Sequence, residues 1–246
     1  MKATQFEFRF RLIIIFLLYA IGFWAPWTST AGGYGPPATT AWLAMPTLLD
    51  RWGWMHLDQA SLLVTWLAIV FCFLGAALRV WGTAYLSASV VHSGAMHGDQ
   101  VMASGPYRYV RNPLYLGSYL LGLSIAILMP PSGAAVFVVL LGIFYFRLIL
   151  GEKAFLANEA GESYLAYKKR VPRLIPRLRP RIPAGAARPQ WLTSLMAEIF
   201  SVAFSVCLAV LAWRYEPRLL IQCLLVSFGV SLVAQAFLPK KQGAAE

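Results

Sequence analysis

Long apolar runs separated by short polar stretches set the pattern of this chain. Runs of about 20 residues, the length a helix needs to cross a bilayer core of about 30 Å, fall at 11–27, 61–81, 113–130, 133–150, 192–213 and 218–238. The pattern predicts an all-α, polytopic membrane protein, a single membrane domain over 1–246 with about six transmembrane helices. The first run follows Lys2, Arg9 and Arg11 and precedes Ser29-Thr30-Ala31, the outline of a cleaved leader. It ends in Trp24-Ala25-Pro26-Trp27, however, which reads better as an interfacial belt. The stretch 28–60 is rich in Gly, Pro, Thr and Trp and predicts a short surface helix near 39–50.

Composition agrees with this pattern and adds an orientation. Of 246 residues 59% are hydrophobic and 13% charged, too apolar for an ordinary soluble domain. A net charge of +11 on one face of a soluble fold would suggest nucleic acid. Here the basic residues fall between apolar runs, so anionic lipid headgroups are the expected counter-charge and nucleic acid is not an expected partner. With both termini cytoplasmic, only Arg51, Arg214 and Arg218 of the 21 lysines and arginines lie on the far side. A multi-pass protein of the plasma (inner) membrane follows as the expectation. Cys72, Cys207 and Cys223 each lie inside an apolar run without paired spacing, as packing residues would. His92 and His97 are five apart, the wrong offset for one helix face, and no metal site is expected.

Candidate chemistry collects at one depth. Pro130-Pro131-Ser132-Gly133 predicts a turn joining the third and fourth runs as a helical hairpin. Counting 18 residues from it in each direction reaches Asn112 and Leu150, arms of about 27 Å. Arg111-Asn112-Pro113 and Arg147…Glu152 therefore return to the same, cytoplasmic edge. Pro113 suits the first turn of a helix, and Gly105-Pro106 breaks the chain before it. Two readings stay open on the residues alone. Tyrosines and arginines at this boundary could be belt residues and snorkelling cations, with Glu152 paired to Arg111 or Arg147. Alternatively they form a site in which the planar fork of Arg111 anchors a carboxylate. Further on, residues 168–181 carry seven cations in 14 residues, and Pro172, Pro176 and Pro180 forbid a long helix. An irregular segment lying on anionic headgroups is expected there.

The order Gly105-Pro106-Tyr107-Arg108-Tyr109-Val110-Arg111-Asn112-Pro113-Leu114-Tyr115-Leu116-Gly117, then a span, then Glu152-Lys153-Ala154-Phe155-Leu156…Gly161-Glu162-Ser163-Tyr164…Tyr167-Lys168-Lys169-Arg170-Val171-Pro172, resembles the isoprenylcysteine carboxyl methyltransferase and phospholipid methyltransferase superfamily. The resemblance covers about 95–177. In that family an Arg-His-Pro-x-Tyr-x-Gly segment, a hydrophobic span and a Glu-Glu pair build a pocket for S-adenosylmethionine, with a Lys-Lys-Arg-Val-Pro-like part helping to roof it. The resemblance implies a membrane methyltransferase acting on a lipophilic acceptor: an isoprenylcysteine-like carboxylate or thiol, or an amine-bearing phospholipid. It implies Arg111 and Glu152 as the residues at the chemistry, Glu152 holding the cofactor's ammonium or ribose hydroxyls. Tyr107 and Tyr115 would pack on adenine or meet the sulfonium, and His97, Gly105, Asn112 and Pro113 would complete the cofactor site. Two positions depart from the family: its His is Asn112 here, and the second acid of its pair is Lys153. A membrane reductase using NADPH shares this motif, and a non-catalytic relative that binds lipid or scaffolds a partner is the other alternative. The C-terminal pair of spans at 192–238 lies outside the resemblance and is open to use as an acceptor site, a homodimer interface or another partner contact.

Overall fold

The computed structural model describes residues 2–24, 39–86, 104–159, 161–185, 187–214 and 217–236, and its regular elements are all helical. They are α1 (Gln5–Arg9), α2 (Arg11–Trp24), α3 (Ala41–Arg51), α4 (Leu57–Tyr85), a short 3-10 turn (Gly105–Arg108), α5 (Pro113–Ala126), α6 (Pro131–Glu159), α7 (Gly161–Arg170), α8 (Trp191–Ala197), α9 (Ile199–Arg214) and α10 (Pro217–Ala236). The chain is inside-out relative to a soluble protein. Leu62, Trp66, Leu74, Val139, Ile143 and Leu225 face outward, while Thr65, Thr83, Ser124, Glu198 and Ser205 are buried. Water would not tolerate that distribution; hydrocarbon requires it.

Among the described residues two helices, α4 and the Pro131–Lys153 part of α6, are long and apolar enough to cross a membrane alone. The pair α8–α9, bent by 65° at its break, adds a third if it is one span. The described part of the first run, α2, has 14 residues, and so does α5. Each rises about 21 Å, short of a bilayer core.

The expected hairpin is present with unequal arms. Its second arm begins at Pro131 and runs 29 residues, but the first ends at Ala126 and not near 130. The reason lies in what the turn supports. Thr40 precedes α3 without a side-chain cap, and the first N–H groups of α3 go instead to the turn: Ala41 N–H donates to Met129 O at 2.8 Å and Trp42 N–H to Ile127 O at 2.8 Å. The turn's carbonyls thus cap the surface helix expected near 39–50.

Packing brings α4 and α5 into backbone proximity. A Cβ on Gly117 would lie 2.7 Å from the carbonyl oxygen of Gly75, and one on Gly75 would lie 2.7 Å from that of Gly117. Small residues at such a crossing let two helices approach closely where lipid gives no hydrophobic drive between them. Ser124 Oγ donates to Ala68 O at 2.9 Å across the same pair, and Ser205 Oγ ties α9 to Cys72 O at 3.2 Å. Cys72 and Cys207 are buried free thiols, as packing residues should be. Phe137, Leu141 and Leu148 of α6, with Met129 and Phe8, form a second core on the other side of α5.

The N-terminus is fastened to α6. Thr4 and Glu7 form a capping box on α1, with Glu7 Oε2 accepting from Thr4 N–H at 2.7 Å. Glu7 also takes both forks of Arg147, at 3.1 and 2.9 Å, and Ala3 N–H donates to Arg147 O at 3.1 Å.

Candidate active site

The site begins at a glycine that needs its backbone freedom. Gly105 has φ +52°, and the Tyr85 ring occupies the space where a side chain would stand. Gly105 and Pro106 open the 3-10 turn, closed by bonds from Tyr109 and Val110 N–H to Pro106 O at 2.9 and 3.1 Å. Pro106 and Val110 are buried beneath it. In this tight turn the Tyr107 hydroxyl is buried, and Arg108 donates to Ile182 O at 3.1 and 3.0 Å. Pro113 then starts α5 at a position where its missing N–H costs nothing.

Tyr107 faces the charge of Glu152 on α6, and burial together with that charge pushes its phenol well above the usual range. It therefore stays protonated, a donor at any physiological pH. Tyr115 engages Glu152 through its hydroxyl, and its ring lies 5.8 Å from that of Tyr145. Burial raises the Tyr164 phenol of α7 above its usual range, and the charges of Arg111 and Glu152 both act on it. Tyr167, one turn on, donates to Tyr107 O at 2.8 Å. Gly105, Tyr107, Arg111, Asn112, Pro113 and Tyr115 lie on one continuous stretch, and the fold sets its Tyr107 and Tyr115 in the field of Glu152 on α6. His97, like His92, lies outside the described residues.

Four further contacts complete the surroundings of the site. Arg147 is paired with Glu7, and the cation whose charge acts on Glu152 is Arg11 of α2. The amide of Asn112 does not cap α5; its Nδ2 donates to Arg173 O at 2.9 Å. Lys153 stands within the field of Lys168, Arg173 and Arg111. The basic run 168–181 is also stitched to the site by its backbone: Arg111 N–H donates to Pro172 O at 2.9 Å and Arg177 N–H to Tyr109 O at 3.1 Å.

Sequence reasoning passed over a buried ion pair beside the site. Arg79 Nε and Nη2 donate to Glu198 at 2.6 and 2.8 Å, and Arg79 Nη1 reaches Ser118 of α5. Thr83 and Ser201 also donate to Glu198, each at 3.0 Å, and its side chain is 1% exposed. The signal was present: each is the single charged residue in its apolar run, 61–81 and 192–213. The C-terminal helices are thereby linked, through Arg79 of α4, to the helix α5 that carries the motif.

Three buried polar atoms in eight residues have no partner among the described residues: Ser104 Oγ, Tyr107 OH and Arg111 Nε. Buried polar groups are otherwise almost always satisfied. One donor-only guanidinium N–H and two hydroxyls, beside a carboxylate, suit a ligand carrying both anionic and cationic groups.

Comparison with known proteins fits this arrangement. Residues 63–162 match the phospholipid methyltransferase family model, which takes in α4, the 3-10 turn, α5, α6 and the start of α7. Over 113 residues the sequence is 31% identical to protein-S-isoprenylcysteine O-methyltransferase of Schizosaccharomyces pombe, covering 44% of this chain and 48% of the relative. The chain thus matches about half the length of that relative. No solved structure matches. The stretch that carries most of the two-part motif is thus similar to membrane methyltransferases of the phospholipid and isoprenylcysteine type.

Proposed function

We propose that the chain is an integral membrane methyltransferase that takes S-adenosylmethionine between the 3-10 turn, the start of α5, residue 152 of α6 and α7. The observation that carries this reading is the set of three buried atoms without partners among the described residues, Ser104 Oγ, Tyr107 OH and Arg111 Nε, near Glu152 in the motif. S-adenosylmethionine fits them, because it brings a carboxylate, an ammonium and hydroxyls in one molecule. When bound, it supplies a methyl group on a sulfonium, open to in-line displacement.

The chain's own residues do the positioning. Arg111 anchors a carboxylate, of cofactor or acceptor, through a guanidinium already aimed by Tyr164. Glu152, held by Tyr115, receives the ammonium or ribose hydroxyls. Tyr107 donates from a phenol that burial keeps protonated. The segment 171–182 roofs the site and keeps water out, and such positioning is worth about 7–11 kcal/mol of barrier when alignment is good. A carboxylate or thiolate acceptor brings its own nucleophile and needs no general base, whereas an amine acceptor must first lose a proton. The acceptor is lipophilic, reaches the site laterally from the bilayer, and carries an isoprenylcysteine-like carboxylate or thiol or a phospholipid amine. We further assign six spans with both termini and the site on the cytoplasmic side of the plasma (inner) membrane, supported by the asymmetry of lysine and arginine.

Calorimetry of the purified full chain with S-adenosylhomocysteine, and separately with NADPH, tests the reading. Binding of the first alone is expected. Binding of NADPH alone makes the protein a reductase, and binding of neither makes it a non-catalytic relative.

A further inference from the structure

The segment following α7 is anchored at both ends and turned outward in between. Val171 is 2% exposed and Ile182 8%, while Ile175 is 81% and Leu178 99% exposed. Main-chain groups do much of the holding. The carbonyls of Pro172 and Arg173 accept from Arg111 N–H and Asn112 Nδ2, Arg177 N–H donates to Tyr109 O, and Ile182 O accepts from Arg108. Lys169, Arg170, Arg179 and Arg181 stand exposed around Ile175 and Leu178. No Asp or Glu occurs between Glu162 and Glu198, so the surface is cationic without internal compensation.

The depth of this segment is set by α6. The apolar part of α6 ends at Lys153. Arg173 places its guanidinium 5.3 Å from the ring of Phe146, seven residues back along that helix, or about 10 Å. Phe146 is 41% exposed and so belongs to the outer face of α6. A cation laid along an outward-facing apolar helix marks the edge of the hydrocarbon layer. A wholly exposed leucine and a nearly exposed isoleucine at that edge, among cations, have the chemistry of an interfacial anchor on an anionic leaflet.

We propose that residues 171–181 are a strap that docks on anionic lipid, with Ile175 and Leu178 entering the headgroup–acyl boundary and the surrounding arginines and lysines taking acidic headgroups. Docking fixes the carbonyls that hold Arg111 and Asn112, so the lipid surface sets how firmly the site is roofed. This coupling rests on the cofactor pocket proposed above; the docking does not.

The test uses the full chain in nanodiscs of phosphatidylcholine alone and of phosphatidylcholine with phosphatidylglycerol. Hydrogen exchange is followed at the amides of residues 174–179. The wild type should exchange several-fold more slowly when phosphatidylglycerol is present, and the double variant Ile175→Ser/Leu178→Ser should exchange alike in both lipids. Both positions are exposed, so the variant keeps the fold. Equal exchange of the wild type in the two lipids overturns docking. Slowing that survives the double variant, or that appears in lipid-free detergent, assigns the strap to a protein contact and overturns it equally. S-adenosylhomocysteine should bind several-fold more tightly with phosphatidylglycerol in the wild type only, and an affinity indifferent to lipid overturns the coupling. Absence of any binding argues against the pocket, while exchange still decides the docking.

Discussion

Glu152 is where the chemistry of single residues can be tested most sharply. It faces Tyr107 and Tyr115 from the end of an apolar helix, and Arg11 supplies a compensating charge. Glu152→Gln keeps the shape and removes the charge. A hydrogen bond to a charged group contributes about 1.5–3 kcal/mol, so S-adenosylhomocysteine affinity should fall roughly 10- to 150-fold while the protein stays folded and inserted. Unchanged affinity by calorimetry would mean that Glu152 only anchors α6. Asn112 has a different task, since its amide holds the Arg173 carbonyl. Asn112→Leu should cost about 1–3 kcal/mol by orphaning that carbonyl, seen as a lower melting temperature in detergent. Asn112→His, which restores a ring N–H donor, should recover part of the loss.

Helix pairs account for motif residues that side-chain chemistry leaves unexplained. Gly117 ends the Arg-Asn-Pro-x-Tyr-x-Gly stretch, yet its neighbour is the backbone of Gly75 and not the site. Gly117→Ala would press a methyl group against that carbonyl, and overpacking of this kind costs about 1–3 kcal/mol. Thermal unfolding should show the loss, and Gly75→Ala should behave alike because the contact is reciprocal. A wild-type melting temperature in either variant would show that α4 and α5 are free to separate. At the other end, the tie between α1 and α6 is a titratable one. Hydrogen bonds from Arg147 and from the Thr4 backbone hold the Glu7 carboxyl at about 2, against an ordinary 4.5. A carboxyl lowered by folding contributes stability that is complete above its unfolded pKa and lost as pH falls through its folded pKa. The stability gap between wild type and Glu7→Gln should thus hold steady above about pH 5 and close between about 4.5 and 2. Melting curves across that range check it, and a gap independent of pH would assign the tie to packing.

For the whole molecule the open question is which side each end faces. Reporter fusions at residue 246 and near residue 215 should give opposite readouts, cytoplasmic at 246; a cytoplasmic readout at 215 would overturn the six-span assignment. Sequence periodicity located α4, the hairpin turn at Pro130 and the surface helix at Ala41–Arg51, because apolar run length and Gly/Pro punctuation are local signals. It overran the first hairpin arm, since the stop at Ala126 depends on carbonyls given to α3, far away in sequence. In the site, the motif brought Tyr107, Arg111, Tyr115 and Glu152 into view. Arg11 and Tyr164 were hidden because their importance comes from helices meeting in space, not from spacing along the chain. The strap was read as a lipid-facing charge run; its stitching to Tyr109 and Arg111 uses main-chain groups, which carry no sequence signature.

The pair Arg79–Glu198 also bears on how the protein is made. The two residues are 119 positions apart, so at about 5–20 residues per second roughly 6–24 s of synthesis separates them. During that interval α4 has left the ribosome with a guanidinium near its end and no Glu198 to meet it. Arg79 must wait with its head drawn toward the aqueous boundary, and the bend between α8 and α9 delivers the acid last. A nascent chain halted before residue 198 would present a half-assembled bundle with a recognisable charge for quality-control machinery to read.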